Sequence, residues 1–252
     1  MRRGLEMASI LFVHGAGHAA WCWHEHFTGW FEARGYTVAA PDLPRHGHFD
    51  RRGLRFTPLR AYVNAVSRVA GDLEPPLILI GHSLGGFVVQ KYLEVAEADL
   101  AILIASIPPT GARPFATRLA RRHPLMMLKT MVTGRATDAP ERTRELFFTP
   151  ETPAEVVDEC HRRLQAESMR VLMDMMPGLH PERVKTPVAV IGAEDDWIAV
   201  PAKEIAATAR SYDTEPRFVP GGHDMMLDTA WVQVAIEIET AIAERVPLRG
   251  QP

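Results

Sequence analysis

The chain has 252 residues, enough for an α/β domain with a sizeable core, and its 46% hydrophobic and 23% charged residues are ordinary for a globular protein. A formal net charge of −3 gives no basis for a nucleic-acid partner or an acidic membrane surface. Two cysteines, Cys22 and Cys160, supply neither a disulfide framework nor metal-ligand spacing, which suits a reducing cytoplasm.

The opening MRRGLEM carries two arginines, but the apolar stretch behind it, Ile10 to Val13, is too short for a signal-peptide core. No run approaches a membrane span, so the expectation is a cytoplasmic protein. SILFV (9–13) reads as the first strand and leads into His14-Gly15-Ala16. His18, His24 and His26 follow around a first helix; loop-packing roles are expected for them, with His18 near enough to a cleft to keep in view. Trp21 and Trp23 are expected in the core. After a second strand, YTVAA (36–40), His46-Gly47-His48-Phe49-Asp50 imitates the H-x-H-x-D opening of a dinuclear metal site. Arg51 stands where that pattern needs another histidine, so a polar loop is expected and no metal.

A helix is predicted over 57–71, with Thr57 and Pro58 as cap and first turn and Leu59, Tyr62, Val63, Val66, Val69 and Ala70 on one face. PLILI (76–80), LAILIA (100–105), PVAVIG (187–192) and PRFVP (216–220) are further strands, most of the runs continuously apolar as parallel strands covered on both faces are. Near the end, Trp231, Val234, Ala235, Ile238, Ala241 and Ile242 form a helical stripe, and the closing RGQP is expected to fray. Strands alternating with helices predict an α/β fold with a doubly wound, mostly parallel sheet.

One interval breaks the alternation. Residues 107–182 hold helical pieces at 114–133, 138–147, 153–165 and 167–176, and seven of the eleven methionines. The expected organisation is a core of 1–106 and 183–252 with 107–182 as a helical cap over the strand C-termini. Flexible thioethers there suit a variable apolar pocket.

The chemistry concentrates at Gly81-His82-Ser83-Leu84-Gly85, a G-x-S-x-G between a predicted strand and a predicted helix whose spacing begins just past Leu84. At such a turn the apex residue is strained and side chains two positions away would collide, so the hydroxyl stands clear of the sheet at a helix N-terminus. A serine needs a base, and the base an orienting acid. VIGAEDDWI (190–198) and PGGHDMML (220–227) each follow a predicted strand, so their acid and histidine fall at the same sheet edge as Ser83.

On these residues, and on F-V-H-G-A-G-H-A-A-W-C-W (12–23), the chain resembles the α/β-hydrolase family over nearly its whole length, in particular its esterase and hydroxynitrile-lyase branch with small helical caps. The resemblance implies Ser83 as nucleophile, His223 as general base and Asp196 as its partner, with the N–H groups of Ala16 and Leu84 as oxyanion hole. Asp196 is favoured over Asp195 because a hydrophobic pair follows it, although Val200-Pro201 comes one residue later than usual. Relatives that carry the acid after the fourth strand are not matched, since Ala105, Ser106 and Ile107 offer no carboxylate. His82 beside the nucleophile is read as structural, and P-D-L-P-R-H-G resembles the family's D-L-P-G-H-G loop with Arg45 in place of glycine.

The implied activity is hydrolysis of a carboxylic ester of a small to medium apolar substrate through an acyl-enzyme on Ser83, with no cofactor. The partner is then a small molecule, and a homodimer stays open. Two alternatives use the same triad: a carbon–carbon bond hydrolase and a hydroxynitrile lyase. The related lyases have Thr and Lys where this chain has Gly15 and Asp224, which favours hydrolysis. A ligand-binding receptor or scaffold that retains the triad is the alternative of another class. Epoxide hydrolases and dehalogenases need Asp in place of Ser83 and fall away.

Overall fold

The computed structural model describes residues 8–246; both MRRGLEM and the closing RGQP, expected to fray, lie outside them. Six strands form one sheet: β1 (Ser9–Val13), β2 (Thr37–Ala39), β3 (Leu77–His82), β4 (Leu100–Ile104), β5 (Val188–Ala193) and β6 (Pro216–Val219). Their order is β2-β1-β3-β4-β5-β6, and every pairing is parallel. Strand order reverses between β1 and β3, so the loops after those two strands diverge and leave a crevice at the carboxyl edge.

Alternate residues along each strand serve two layers. Ile10, Phe12, Ile78, Ile80, Ile102 and Ile104 pack against α1 (Trp21–His24), α2 (Phe27–Glu32) and α11 (Trp231–Arg245). Leu11, Val13, Leu79, Leu103 and Val190 face α3 (Leu59–Gly71), α4 (Leu84–Leu93) and α10 (Ala202–Ser211). The four central strands, β1, β3, β4 and β5, are buried along their whole length, which is why they read as largely apolar runs, whereas the edge strands β2 and β6 are partly exposed. Trp23 lies in the core, stacked 4.7 Å from Phe12, whereas Trp21 is half-buried beneath the Arg163 guanidinium.

Between β4 and β5 come α5 (Arg113–Arg122), α6 (Pro124–Thr133), α7 (Pro140–Phe147), α8 (Ala154–Arg163) and α9 (Met169–Asp174). The single helix expected over 114–133 is two. His123 adopts φ −137° and ψ 62° because the ring of Pro124 bars the residue before it from helical geometry. The start of α3 also differs from expectation. Thr57 is extended and lies outside the helix, Pro58 is the residue before its first turn, and the free Leu59 N–H donates to Asp174 Oδ2 at 3.1 Å. A carboxylate from α9 thus does the capping that a local hydroxyl was expected to do.

Candidate active site

The turn from β3 into α4 has Ser83 at its apex, with φ 52° and ψ −116°, a region that side-chain-bearing residues rarely occupy. Hydrogen bonds hold the strained residue from both ends: Ser83 N–H donates to Ile104 O at 3.0 Å, and Ile107 N–H donates to Ser83 O at 3.2 Å. Close packing dictates the flanking glycines. A Cβ on Gly81 would come 2.6 Å from Gly86 Cα, and one on Gly85 would come 2.2 Å from Val13 O.

His223 follows β6 and Asp196 follows β5, and the structure brings the two together: His223 Nδ1 lies 2.6 Å from Asp196 Oδ2. Asp196 Oδ1 accepts from the N–H groups of Ala199 and Val200 at 2.9 and 3.0 Å, so the loop curls back on its own carboxylate. Asp195 is exposed and makes no side-chain hydrogen bond to His223 among the described residues. Burial works against a charged His223, but the Asp196 carboxylate outweighs it and holds the imidazole above its ordinary value. His82 lies in a dry pocket beside His223 and is pushed down to about 3 by that burial and by its neighbour. Neutral, its Nε2–H donates to His223 O at 3.0 Å, a structural role. Ser83 and His223 line the same cavity, and among the described residues no hydrogen bond joins their side chains.

Ala16 lies just past β1 and Leu84 opens α4; neither N–H donates to another group among the described residues. The Leu84 N–H is a free donor because it belongs to the first turn of a helix. The Ala16 N–H is aimed by its own peptide unit, whose other end, Gly15 O, accepts from His14 Nδ1 at 2.9 Å. His14 can donate there because its Nε2 accepts from Leu43 N–H at 3.0 Å. Burial, reinforced by His46, pushes His14 down to about 3 and keeps it neutral.

The cavity above these groups has a volume of about 230 Å³ and is walled by the helices inserted between β4 and β5. Six methionines contribute: Met127, Met131, Met169, Met173, Met175 and Met176. Two acids in its lining were not anticipated as site residues. Asp224 is fully buried, with Oδ2 3.0 Å from His18 Nε2; burial would raise its carboxyl, but His18 and His82 hold it below its ordinary value. Glu167 is buried against His46 and Tyr62. The H-x-H-x-D stretch is therefore not one polar loop. His46 is wholly buried while His48 and Asp50 are exposed, so they do not converge on a metal. Arg45, at the family's glycine position, takes φ 73°, the conformation that favours glycine. A pairing partner 121 positions away leaves no local trace for His46, and Glu167, among Arg162, Arg163, Gln165, Ser168 and Arg170, carries none either.

The sequence model described as "Alpha/beta hydrolase family" matches residues 10–237. Norfluorocurarine synthase 1 of Strychnos nux-vomica is 34% identical over 111 residues, which are 42% of this chain and 41% of that protein. Pyrethroid hydrolase of Sphingobium wenxiniae is 29% identical over 177 residues, 65% of this chain and 62% of its own length. The matched stretch thus spans less than half of the first relative and under two thirds of the second. Among solved structures, a methylesterase from Arabidopsis superposes with a TM-score of 0.72 at 20% identity, covering 94% of this chain and 99% of its own; that likeness shows the fold.

Proposed function

The chain belongs to the alpha/beta hydrolase family, and we propose that it hydrolyses a carboxylic ester of a small to medium apolar substrate through an acyl-enzyme on Ser83. The observation that carries the reading is the shared cavity: a strained serine at a helix N-terminus and a buried histidine–carboxylate pair of 2.6 Å face the same apolar space. Ser83 Oγ attacks the ester carbonyl carbon as its proton passes to His223 Nε2. The carbonyl oxygen becomes an oxyanion that the N–H groups of Ala16 and Leu84 stabilise, each such donor contributing about 3–4 kcal/mol. The tetrahedral species collapses, the C–O bond to the alcohol breaks, and the alcohol leaves with the proton from His223. Water then attacks the acyl-enzyme, giving its proton to His223, and the acid departs as Ser83 regains its hydrogen.

In this reading the helices of 107–182 form a cap, and its methionines shape a compliant pocket for the apolar part of the ester. Two features weigh against a cyanide-releasing lyase. The residue after His223 is the Asp224 carboxylate, whose charge repels a departing cyanide, and Gly15 offers no hydroxyl beside the oxyanion donors.

The test is rapid-quench mass spectrometry with an activated ester such as p-nitrophenyl butyrate. A burst of p-nitrophenolate and a mass gain equal to the butyryl group on the peptide containing Ser83, both lost in Ser83→Ala, support the proposal. Cleavage of mandelonitrile without any acyl adduct would replace it with the lyase. A melting temperature raised by a small ligand, with no turnover of either compound, would favour a receptor.

A further inference from the structure

The loop that carries the Ala16 N–H is gripped by two buried histidine–carboxylate pairs that the proposed chemistry does not use. They hold the two polar ends of one peptide unit, Ala16–Gly17. At the carbonyl end, His18 Nδ1 lies 3.0 Å from Ala16 O while its Nε2 lies 3.0 Å from Asp224 Oδ2. At the amide end, Gly17 N–H donates to Glu167 Oε2 at 3.3 Å, and His46 Nε2 stands 3.3 Å from the same oxygen. Glu167 Oε1 accepts from Tyr62 O–H and from Ser168 N–H, both at 2.6 Å. The next carbonyl is held as well, since Gly17 O accepts from Gln165 N–H at 2.7 Å. Gly17 has φ 72°, and a Cβ there would fall 2.9 Å from Gln165 O, so the clamp closes only around glycine.

Burying two carboxylates is costly unless their donors are complete. An apolar contact could fill the same space, but only fixed donors and acceptors set the rotation of a peptide unit. We infer that Glu167 and the His18–Asp224 pair are positioning residues for oxyanion stabilisation: they lock the Ala16–Gly17 peptide, and with the preceding Gly15–Ala16 peptide held by His14 this fixes Ala16 from both sides so that its N–H points at the developing oxyanion. The inference rests on the ester-hydrolase reading above. Glu167 comes from the loop between α8 and α9, so the segment inserted between β4 and β5 takes part in orienting the reaction centre as well as in enclosing it.

The test compares wild type with Glu167→Gln, Asp224→Asn and Tyr62→Phe in the full chain. Three donors converge on the Glu167 carboxylate with the His46 ring nitrogen 3.3 Å away, and an amide, with one acceptor oxygen and no charge, cannot replace it for all of them. Each folded variant is assayed for kcat and KM on p-nitrophenyl butyrate and for binding of an alkyl trifluoromethyl ketone, which adds Ser83 Oγ to form an oxyanion. The corresponding trifluoromethyl alcohol, which forms no oxyanion, serves as the control. Glu167→Gln is expected to lower kcat by about 10–100-fold, a fraction of what losing a whole oxyanion donor costs. KM should stay within about twofold, ketone affinity should fall in step with kcat, and alcohol affinity should not change. If Glu167→Gln fails to fold, Tyr62→Phe, which keeps the charge, should give the same signature at about 3–10-fold. Unchanged kcat and ketone affinity, or parallel losses of ketone and alcohol, would overturn the clamp. A wild-type protein that forms no ketone adduct would instead bring down the ester-hydrolase reading, and the clamp with it.

Discussion

Replacing Asp196 by Asn probes the His223 pair with little change of shape. The Asp196 carboxylate accepts three N–H donors: Ala199 and Val200 at 2.9 and 3.0 Å on one oxygen, and His223 Nδ1 at 2.6 Å on the other. An Asn carbonyl satisfies the two backbone donors, which cannot be reversed. Its NH2 group must then face His223 Nδ1 and donate to it, moving the ring proton to Nε2. That nitrogen is the one required to take the proton of Ser83, so the base is present in the wrong tautomer. The expected loss in kcat is about 10⁴-fold, equivalent to about 5 kcal/mol of transition-state stabilisation. Asp195, exposed and not bonded to His223, serves as the control, and Asp195→Asn should stay within about twofold of wild type. The assay is initial-rate release of p-nitrophenolate at saturating ester, with melting temperatures to show that both variants fold. An Asp196→Asn protein retaining more than a tenth of the wild-type rate, or an equal loss in Asp195→Asn, would refute the assignment.

Two further outcomes follow from charge and from packing. His223 must be neutral to act and is held above its ordinary value of 6.5, so kcat/KM should rise with pH through an apparent pKa above that value. The charged pair stabilises the folded state fully below the unfolded pKa and loses that contribution as pH rises through the folded one. Melting temperature should therefore drift down over the window in which activity climbs, and an activity limb below 6.5 would contradict this. In Gly85→Ala the new methyl would meet Val13 O at 2.2 Å and His14 O at 2.5 Å. Backbone must move, which should cost about 2–3 kcal/mol and lower the melting temperature by about 4–12 °C; a change under about 2 °C would show that the elbow is looser than its packing implies.

The six strands were legible to within two residues at either end because parallel strands sandwiched between helices carry no polar alternation to confuse them. The elbow was legible for a different reason: glycine at 81 and 85 is demanded by contacts of 2.6 and 2.2 Å, and such contacts leave a mark in the sequence itself. Asp196 was harder to separate from Asp195, since the deciding fact is a loop that folds back on the carboxylate. His46, Glu167, His18 and Asp224 were not seen as pairs. Each side chain is unremarkable among its neighbours in sequence, and each partner lies more than a hundred positions away. The break at His123 was missed, although the proline beside it is a local signal that forbids a continuous helix there.

The reach of Glu167 from the loop between α8 and α9 to Gly17 bears on how proteins of this family can be recombined. A segment bounded by two strands invites transplantation, in which helices from one relative are spliced into another to import a new substrate preference. Here the graft would carry away the acceptor for Gly17 N–H and Tyr62 O–H and strand His46 in a dry pocket with its counter-charge gone. Chimeras of this chain should fail at turnover more often than at recognition, unless the donor segment brings a carboxylate to the Glu167 position. The junction to preserve is thus a side chain deep in the insert, as much as the peptide ends where the splice is made.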